Sequence, residues 1–309
     1  MADYFRFEHV EILEEGLLRY PKSILWTLGL LLRERPTILA VQNPSMILAA
    51  VAVIWGMVTP TFVIVDRHTT FLLDRQYRAS PWLLTFKVLH QFTLRFADIT
   101  VVTNDFLAGL VRTSGGTAYV LPDRLPSLDC SGVNPYPVYA DARCVLLISS
   151  FADDEPVQAV LEAVSLVTQP SIHLYVSGSL QAAPDELVRS APSNVTFTDY
   201  LSETDFCRLL HAADLVAVFT TADHTLLCGC YEAVAAERPL VTSDRHALRS
   251  YFRGAFFVDN TPAQIAGILS LSAQDLAGCS DRMRILKDNL RRTWAVQAAG
   301  LQSLMTDKG

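Results

Sequence analysis

Asp223-His224-Thr225, followed closely by Gly229 and Glu232, bring together a carboxylate, an imidazole, a hydroxyl, a glycine and a second carboxylate. Apolar strand-like runs flank them, Leu215 to Phe219 before and Pro239 to Asp244 after. In a parallel sheet such a loop lies at the carboxyl ends of the strands, where open α/β folds bind ligands. A helix starting there offers free backbone N–H groups and a positive dipole end to a diphosphate. Gly229 lets a ligand approach the backbone, and Glu232 can accept hydrogen bonds from vicinal hydroxyls. His224 can donate to a hydroxyl or a phosphate oxygen. Thr225 is either an N-cap or a phosphate contact.

Two further pairs end apolar runs. Asp66 and His68 follow Phe62 to Val65, and Ser149 and Ser150 follow Cys144 to Ile148. Asp66 or His68 can take a proton from an attacking hydroxyl, with a structural turn capped by Asp66 as the plain alternative. The serines can hold phosphate oxygens with hydroxyl and N–H groups, or simply cap a helix. Asp153-Asp154-Glu155 reads as a charge cluster at a helix N-terminus rather than a metal site, because no second ligand set accompanies it. No metal and no cofactor are expected. Cys130, Cys144, Cys207, Cys228, Cys230 and Cys279 include no C-x-x-C, which fits reduced structural thiols in a cytoplasmic protein.

Short apolar runs alternate with helical patterns throughout the 309 residues, predicting an α/β protein with parallel sheets. A Pro-, Ser-, Asp- and Gly-rich stretch without periodicity separates two such series. The expected organisation is an N-terminal domain over 1–125, a linker over 126–142, a C-terminal domain over 143–273 and a helical tail over 274–309. Two α/β domains joined in this way predict a cleft between them. Net charge is −7, and the acidity lies in the C-terminal half, which argues against nucleic-acid binding. The N-terminal half is near neutral and apolar and better suited to a peripheral membrane contact. Met46 to Val65 is uncharged and long enough to span a bilayer. Gly56, Thr59-Pro60-Thr61 and the β-branched end instead predict a buried helix, a turn and a central strand. The mixed polar start predicts no signal peptide.

The C-terminal half resembles glycosyltransferases of the GT-B type, family 4 in the broad sense. The likeness rests on Leu146-Leu147-Ile148-Ser149-Ser150-Phe151, Val176-Ser177-Gly178, Asn194-Val195-Thr196-Phe197, Ala213-Asp214-Leu215, Glu232-Ala233-Val234-Ala235 and Pro239 to Asp244. Val41-Gln42-Asn43-Pro44, Val65-Asp66-Arg67-His68 and Ser149 to Glu155 resemble segments of chitobiosyl-diphosphodolichol beta-mannosyltransferases. The resemblance implies two Rossmann-like domains facing each other across a cleft. It also implies an NDP-sugar donor (UDP or GDP) and a hydroxyl acceptor that is lipid-linked or a growing surface glycan. By that likeness Glu232 binds ribose hydroxyls and His68 lies at the reacting sugar. Ser149, Ser150, Asp223, His224, Thr225 and Gly229 lie on the donor side.

Three departures qualify the likeness. The family's first glutamate is replaced by His224 beside Asp223. The Arg and Lys that commonly bind the diphosphate are absent from 149–157, with Arg245 as one substitute. The first domain is short, as though reduced or completed by a partner subunit. A non-catalytic subunit and an NDP-sugar 2-epimerase are the rival readings.

Overall fold

The computed structural model describes residues 2–11, 19–43, 45–68, 81–128 and 134–306. Pro44, Cys130 and part of the expected linker lie outside the described residues. The chain forms two compact units, residues 1–124 with 293–309, and residues 125–292.

The first unit runs α1 (Ala2–Phe5), α2 (Arg19–Glu34), β1 (Ile38–Asn43), α3 (Met46–Val58), β2 (Phe62–Arg67), α4 (Pro81–Phe96), β3 (Ile99–Val102), α5 (Asp105–Thr113) and β4 (Ala118–Val120). Its sheet is parallel, in the order β1-β2-β3-β4. β2 is buried on both faces, as its unbroken apolar run requires. Phe62 and Ile64 join one core cluster, and Val63 and Val65 face Ala49, Ala52 and Val53 of α3. The uncharged run is therefore a helix and a strand. α3 has 13 residues and starts where Ser45 Oγ accepts the Leu48 N–H at 3.3 Å. Among the described residues no helix is long and apolar enough to cross a membrane.

The second unit runs β5 (Arg143–Ile148), α6 (Val157–Leu166), β6 (Ile172–Ser177), α7 (Asp185–Arg189), β7 (Val195–Asp199), α8 (Glu203–Ala212), β8 (Leu215–Val218), α9 (Cys228–Ala235), β9 (Leu240–Ser243), α10 (His246–Tyr251), β10 (Phe256–Val258) and α11 (Pro262–Leu269). All six strands are parallel, in the order β10-β9-β8-β5-β6-β7. The order reverses between β5 and β8, so their outgoing loops diverge and leave a crevice at the strands' carboxyl ends.

Two segments pack on the cores. Residues 125–128 and 134–139 are irregular, as their composition predicts, and they are docked on the second unit. Leu125, Leu128, Tyr136 and Val138 pack on the second core, and Arg208 Nη2 donates to the Pro135 carbonyl at 2.8 Å. The tail is one helix, α12 (Ala273–Thr306). Its early residues Cys279, Met283 and Leu286 belong to the second core. Trp294, Ala298, Leu301 and Met305, spaced to share one helical face, belong to the first. Trp294 Nε1 donates to the Pro122 carbonyl at 2.9 Å, and Tyr119 Oη to that of Gln297 at 2.5 Å.

Candidate functional site

The loops leaving β5 and β8 are tied by Asp154. Asp154 accepts the Thr220 hydroxyl through its carboxylate and, through its carbonyl, the Thr221 N–H at 2.6 Å and the Thr221 hydroxyl at 3.1 Å. Asn260 Nδ2 donates to the Thr220 carbonyl at 2.9 Å, while Ser243 Oγ bonds both Thr220 N and Asn260. Four strand ends, β5, β8, β9 and β10, are joined in this network.

Glu155 has a different task. Its carboxylate accepts Ser149 Oγ at 2.5 Å, Ser150 N and Oγ at 2.8 Å, and Phe151 N at 3.0 Å. The hydroxyls expected to reach phosphate are thus donated to the chain's own carboxylate. The acidic trio also differs from its expected role. α6 begins at Val157 with no acid in its first turn, so Asp154 and Glu155 fasten loops rather than cap a helix. Gly178 holds this corner closed. Its φ is +135°, and a Cβ there would overlap the Ser149 carbonyl oxygen.

α9 starts at Cys228, with Leu227 as N-cap and no side-chain cap bond. Thr225 is therefore not the cap; its hydroxyl lies 3.5 Å from the Asp223 carbonyl. The helix began later than its pattern suggested because Leu226 and Leu227 are drawn toward the core instead of into the first turn. Cys228 is exposed, while the Cys230 N–H donates to the Leu227 carbonyl at 3.0 Å; a helix start without a side-chain cap can receive an anion. Gly229 is buried, and a Cβ there would stand 3.0 Å from both Val218 methyls and 3.2 Å from Ile148 Cβ. Its lack of a side chain serves contact with β8 and β5, where a ligand approach was expected. Cys230 is buried beside it with its thiol pushed up to about 12, by burial first.

Glu232 lies five residues into α9, half-buried, with no hydrogen-bond or ion-pair partner among the described residues. Burial raises its carboxyl above the ordinary range. His224 occupies the left-handed region at φ +64°, uncommon for histidine. Asp223 Oδ1 lies 3.6 Å from Arg245 Nη1. The Arg245 Nε is buried without a hydrogen-bond partner among the described residues. A guanidinium with a spare donor thus stands beside the loop that leads into α9.

In the first unit Asp66 and His68 do meet, at the end of β2, and Asp123 joins them. His68 Nδ1 is 3.2 Å from the Asp123 carboxylate. Nε2 is 2.9 Å from Asp66 Oδ2, off the ring N–H direction and so an ion contact rather than a directed hydrogen bond. Burial lowers the His68 pKa, but the close contacts with the Asp123 and Asp66 carboxylates and their charges outweigh it and carry it to about 10. The direction favours the imidazolium, which donates and attracts rather than accepting a proton.

Neighbouring Arg67 is buried, and its Nη1 donates to His90 Nδ1 at 2.8 Å. That bond leaves the ring proton of His90 on Nε2. Burial and the Arg67 charge lower His90 to about 4, so it stays neutral.

The fold therefore gathers Ser149, Ser150, Asp223, His224, Thr225, Gly229 and Glu232 around the switch point of the second sheet. Asp66 and His68 are gathered with Asp123 at the end of β2 in the first. Sequence reading passed over Asp123 and Asn260 and gave Asp154 and Ser243 no part in joining the strand ends. Each follows or ends a strand, which was the available signal. Among the described residues no group of three or more His, Cys, Asp or Glu is arranged to hold a metal ion.

Residues 142–274 match the model of the family described as Glycosyl transferases group 1. No curated protein matches the chain significantly. Sucrose-phosphate synthase from Thermosynechococcus elongatus is similar, with TM-score 0.75 and 14% identity over 98% of this chain and 82% of that one. HepE of Anabaena in complex with UDP-glucose follows with 0.73 and 13%, over 98% and 88%. An alpha,alpha-trehalose-phosphate synthase (UDP-forming) from Burkholderia vietnamiensis has 0.68 and 12%, over 95% and 79%. The likenesses establish the fold as two Rossmann-like units of the GT-B type, each with a parallel sheet. They do not single out the beta-mannosyltransferases.

Proposed function

We propose that the chain is a glycosyltransferase that moves a sugar from a nucleoside-diphosphate sugar to a hydroxyl acceptor. The carrying observation is Glu232, a half-buried carboxylate without a hydrogen-bond or ion-pair partner among the described residues, on a helix whose N-terminus has no side-chain cap at the switch point. Vicinal ribose hydroxyls would satisfy that carboxylate, and the diphosphate would lie against the first N–H groups of α9 with Arg245 beside it. The match of residues 142–274 supports sugar transfer, and HepE's bound UDP-glucose favours uridine over guanosine in the donor. Fixed dipoles and a guanidinium would offset the leaving charge in place of a metal ion.

By the motif likeness, His68 would donate to the reacting sugar. The acceptor proton would pass to Asp66 or to the leaving diphosphate. A lipid-linked or growing surface glycan is the acceptor that the motif likeness favours. It is joined by a cytoplasmic site of action and a peripheral membrane contact.

A thermal-shift series with UDP-, GDP- and dTDP-sugars tests the donor reading, because a ligand of the native state raises the melting temperature. No shift with any of the three would overturn it. A second reading, a non-catalytic subunit that needs a partner, is favoured by His224 standing where the family carries its first glutamate. Donor-dependent transfer or hydrolysis by the purified chain would decide against that reading.

A further inference from the structure

Arg67 ends β2 and is buried. Alternation along the strand turns it to the face of Val63 and Val65, toward α3 and α4. Asp66 belongs to the other face, that of Phe62 and Ile64, and meets His68 there. Arg67 Nη1 donates to His90 Nδ1 on α4 at 2.8 Å, and its Nη2 lies 3.9 Å from Met46 Sδ on α3. A guanidinium offers no lone pair, so His90 is the acceptor and carries its proton on Nε2. That Nε2 is buried without a hydrogen-bond partner among the described residues. A buried N–H left so costs stability, and an apolar side chain at position 90 would avoid the cost. What stands against it is the acceptor at Nδ1.

The pair sits where the strand gives way to the loop. Arg67 is the last residue of β2 in register, opposite Asn43 of β1 and Val102 of β3. His68, one residue on, stands outside the ladder. Side-chain contacts with Asp66 at 2.9 Å and Asp123 at 3.2 Å fix its ring, so any shift of the strand end changes both distances. We infer that His90 is a positioning residue, which accepts from Arg67, anchors the end of β2 to α4 and thereby holds Asp66 and His68 in their places beside Asp123. The inference deepens the proposed function and rests on it only for the part that Asp66 and His68 play in sugar transfer. The placement of His68 can be measured without any transfer.

Proton NMR titration of the histidine rings in the full chain measures it, with the His68 signal assigned by its loss in His68→Gln. His90→Gln keeps an acceptor for Arg67, its amide oxygen, whereas His90→Leu keeps none. His68 should titrate far above 6.5 in the parent and in His90→Gln. In His90→Leu its midpoint should fall by about one pH unit or more, because a loosened strand end moves the ring off the two carboxylates. Arg67→Met is the second variant, for it leaves no cation stranded in the interior. Loss of a nearby positive charge would by itself raise the His68 pKa, so a fall there reports lost placement. In a transfer assay His90→Leu should lower kcat about tenfold while the donor KM stays within about twofold, and His90→Gln should restore most of it. An unmoved His68 midpoint in His90→Leu and Arg67→Met overturns the inference. So does loss of the fold in both, since the pair would then support the whole unit rather than the strand end. A shift of His68 in a chain that neither binds UDP-sugars nor transfers sugar upholds the anchor and sinks the transfer reading alone.

Discussion

The Glu155 carboxylate accepts the Ser149 hydroxyl at 2.5 Å and, with its remaining lone pairs, three more donors from Ser150 and Phe151. A turn of two serine hydroxyls and two backbone N–H groups is a ready anion nest, and the chain fills it with its own anion. Glu155→Gln keeps the volume but replaces an accepting oxygen by a donor. The expected loss is about 1–2 kcal/mol in urea unfolding. UDP affinity should fall severalfold, because the loop beside the switch point loses its order. Tighter UDP binding in the variant would mean that Glu155 competes with phosphate for the serines.

Glu232 should show stability and binding moving in opposite directions. Its raised pKa means that burial penalises the charged form, so ionisation costs the folded state. The cost is absent below the ordinary carboxylate range and grows as pH rises above it. Glu232→Gln should therefore equal or exceed the parent in stability at pH 7. Glu232→Ala should weaken UDP-sugar binding more than about tenfold, on the order of 1.4 kcal/mol. Calorimetric titration of the folded variants checks both, and unchanged nucleotide affinity would remove Glu232 from the site.

His68 gives the opposite pH signature. Its folded pKa of about 10 lies above the ordinary 6.5. Its contribution to stability is fully present below about pH 6.5 and is lost as pH rises toward about 10. The stability difference between the parent and His68→Gln should shrink across that window. Urea midpoints collected at several pH values would show it, and a constant difference would mean that the two aspartates do not hold the proton.

Gly178→Ala should be severe. The added carbon would overlap the Ser149 carbonyl oxygen and lie 3.1 Å from the Phe151 ring, at a φ that L residues rarely adopt. Strain and overpacking together predict a loss of about 3 kcal/mol. Thermal unfolding measures it, and a loss below about 1 kcal/mol would show that the β5 loop gives way freely.

Elements with local punctuation were legible in the sequence. α5 and α8 start where Asn104 and Ser202 side chains accept the Leu107 and Asp205 N–H groups, and those caps are visible in the sequence. β2 announced itself by four apolar residues followed by polar ones. α9 had no cap residue to mark its start, and apolar Leu226 and Leu227 extended the helical pattern beyond the helix. The site was half legible for a similar reason. Asp66 and His68 are close in sequence, but Asp123 reaches His68 from 55 positions away and fixes its charge. The glycine at 229 was visible, whereas its purpose depended on Val218 and Ile148 lying beneath it.

The long α12 helix has a consequence for the order of folding during synthesis. The second unit is one uninterrupted stretch, 125–292. The first unit is begun at residue 1, yet Trp294, Ala298, Leu301 and Met305 close its core from the other end of the chain. A ribosome that delivers the N-terminus first therefore releases a sheet that waits, with Phe62, Ile64, Ile99 and Val101 lacking part of their cover, until the last residues emerge. The second unit can finish before the first, and a chain stopped at residue 292 would leave the first unfinished.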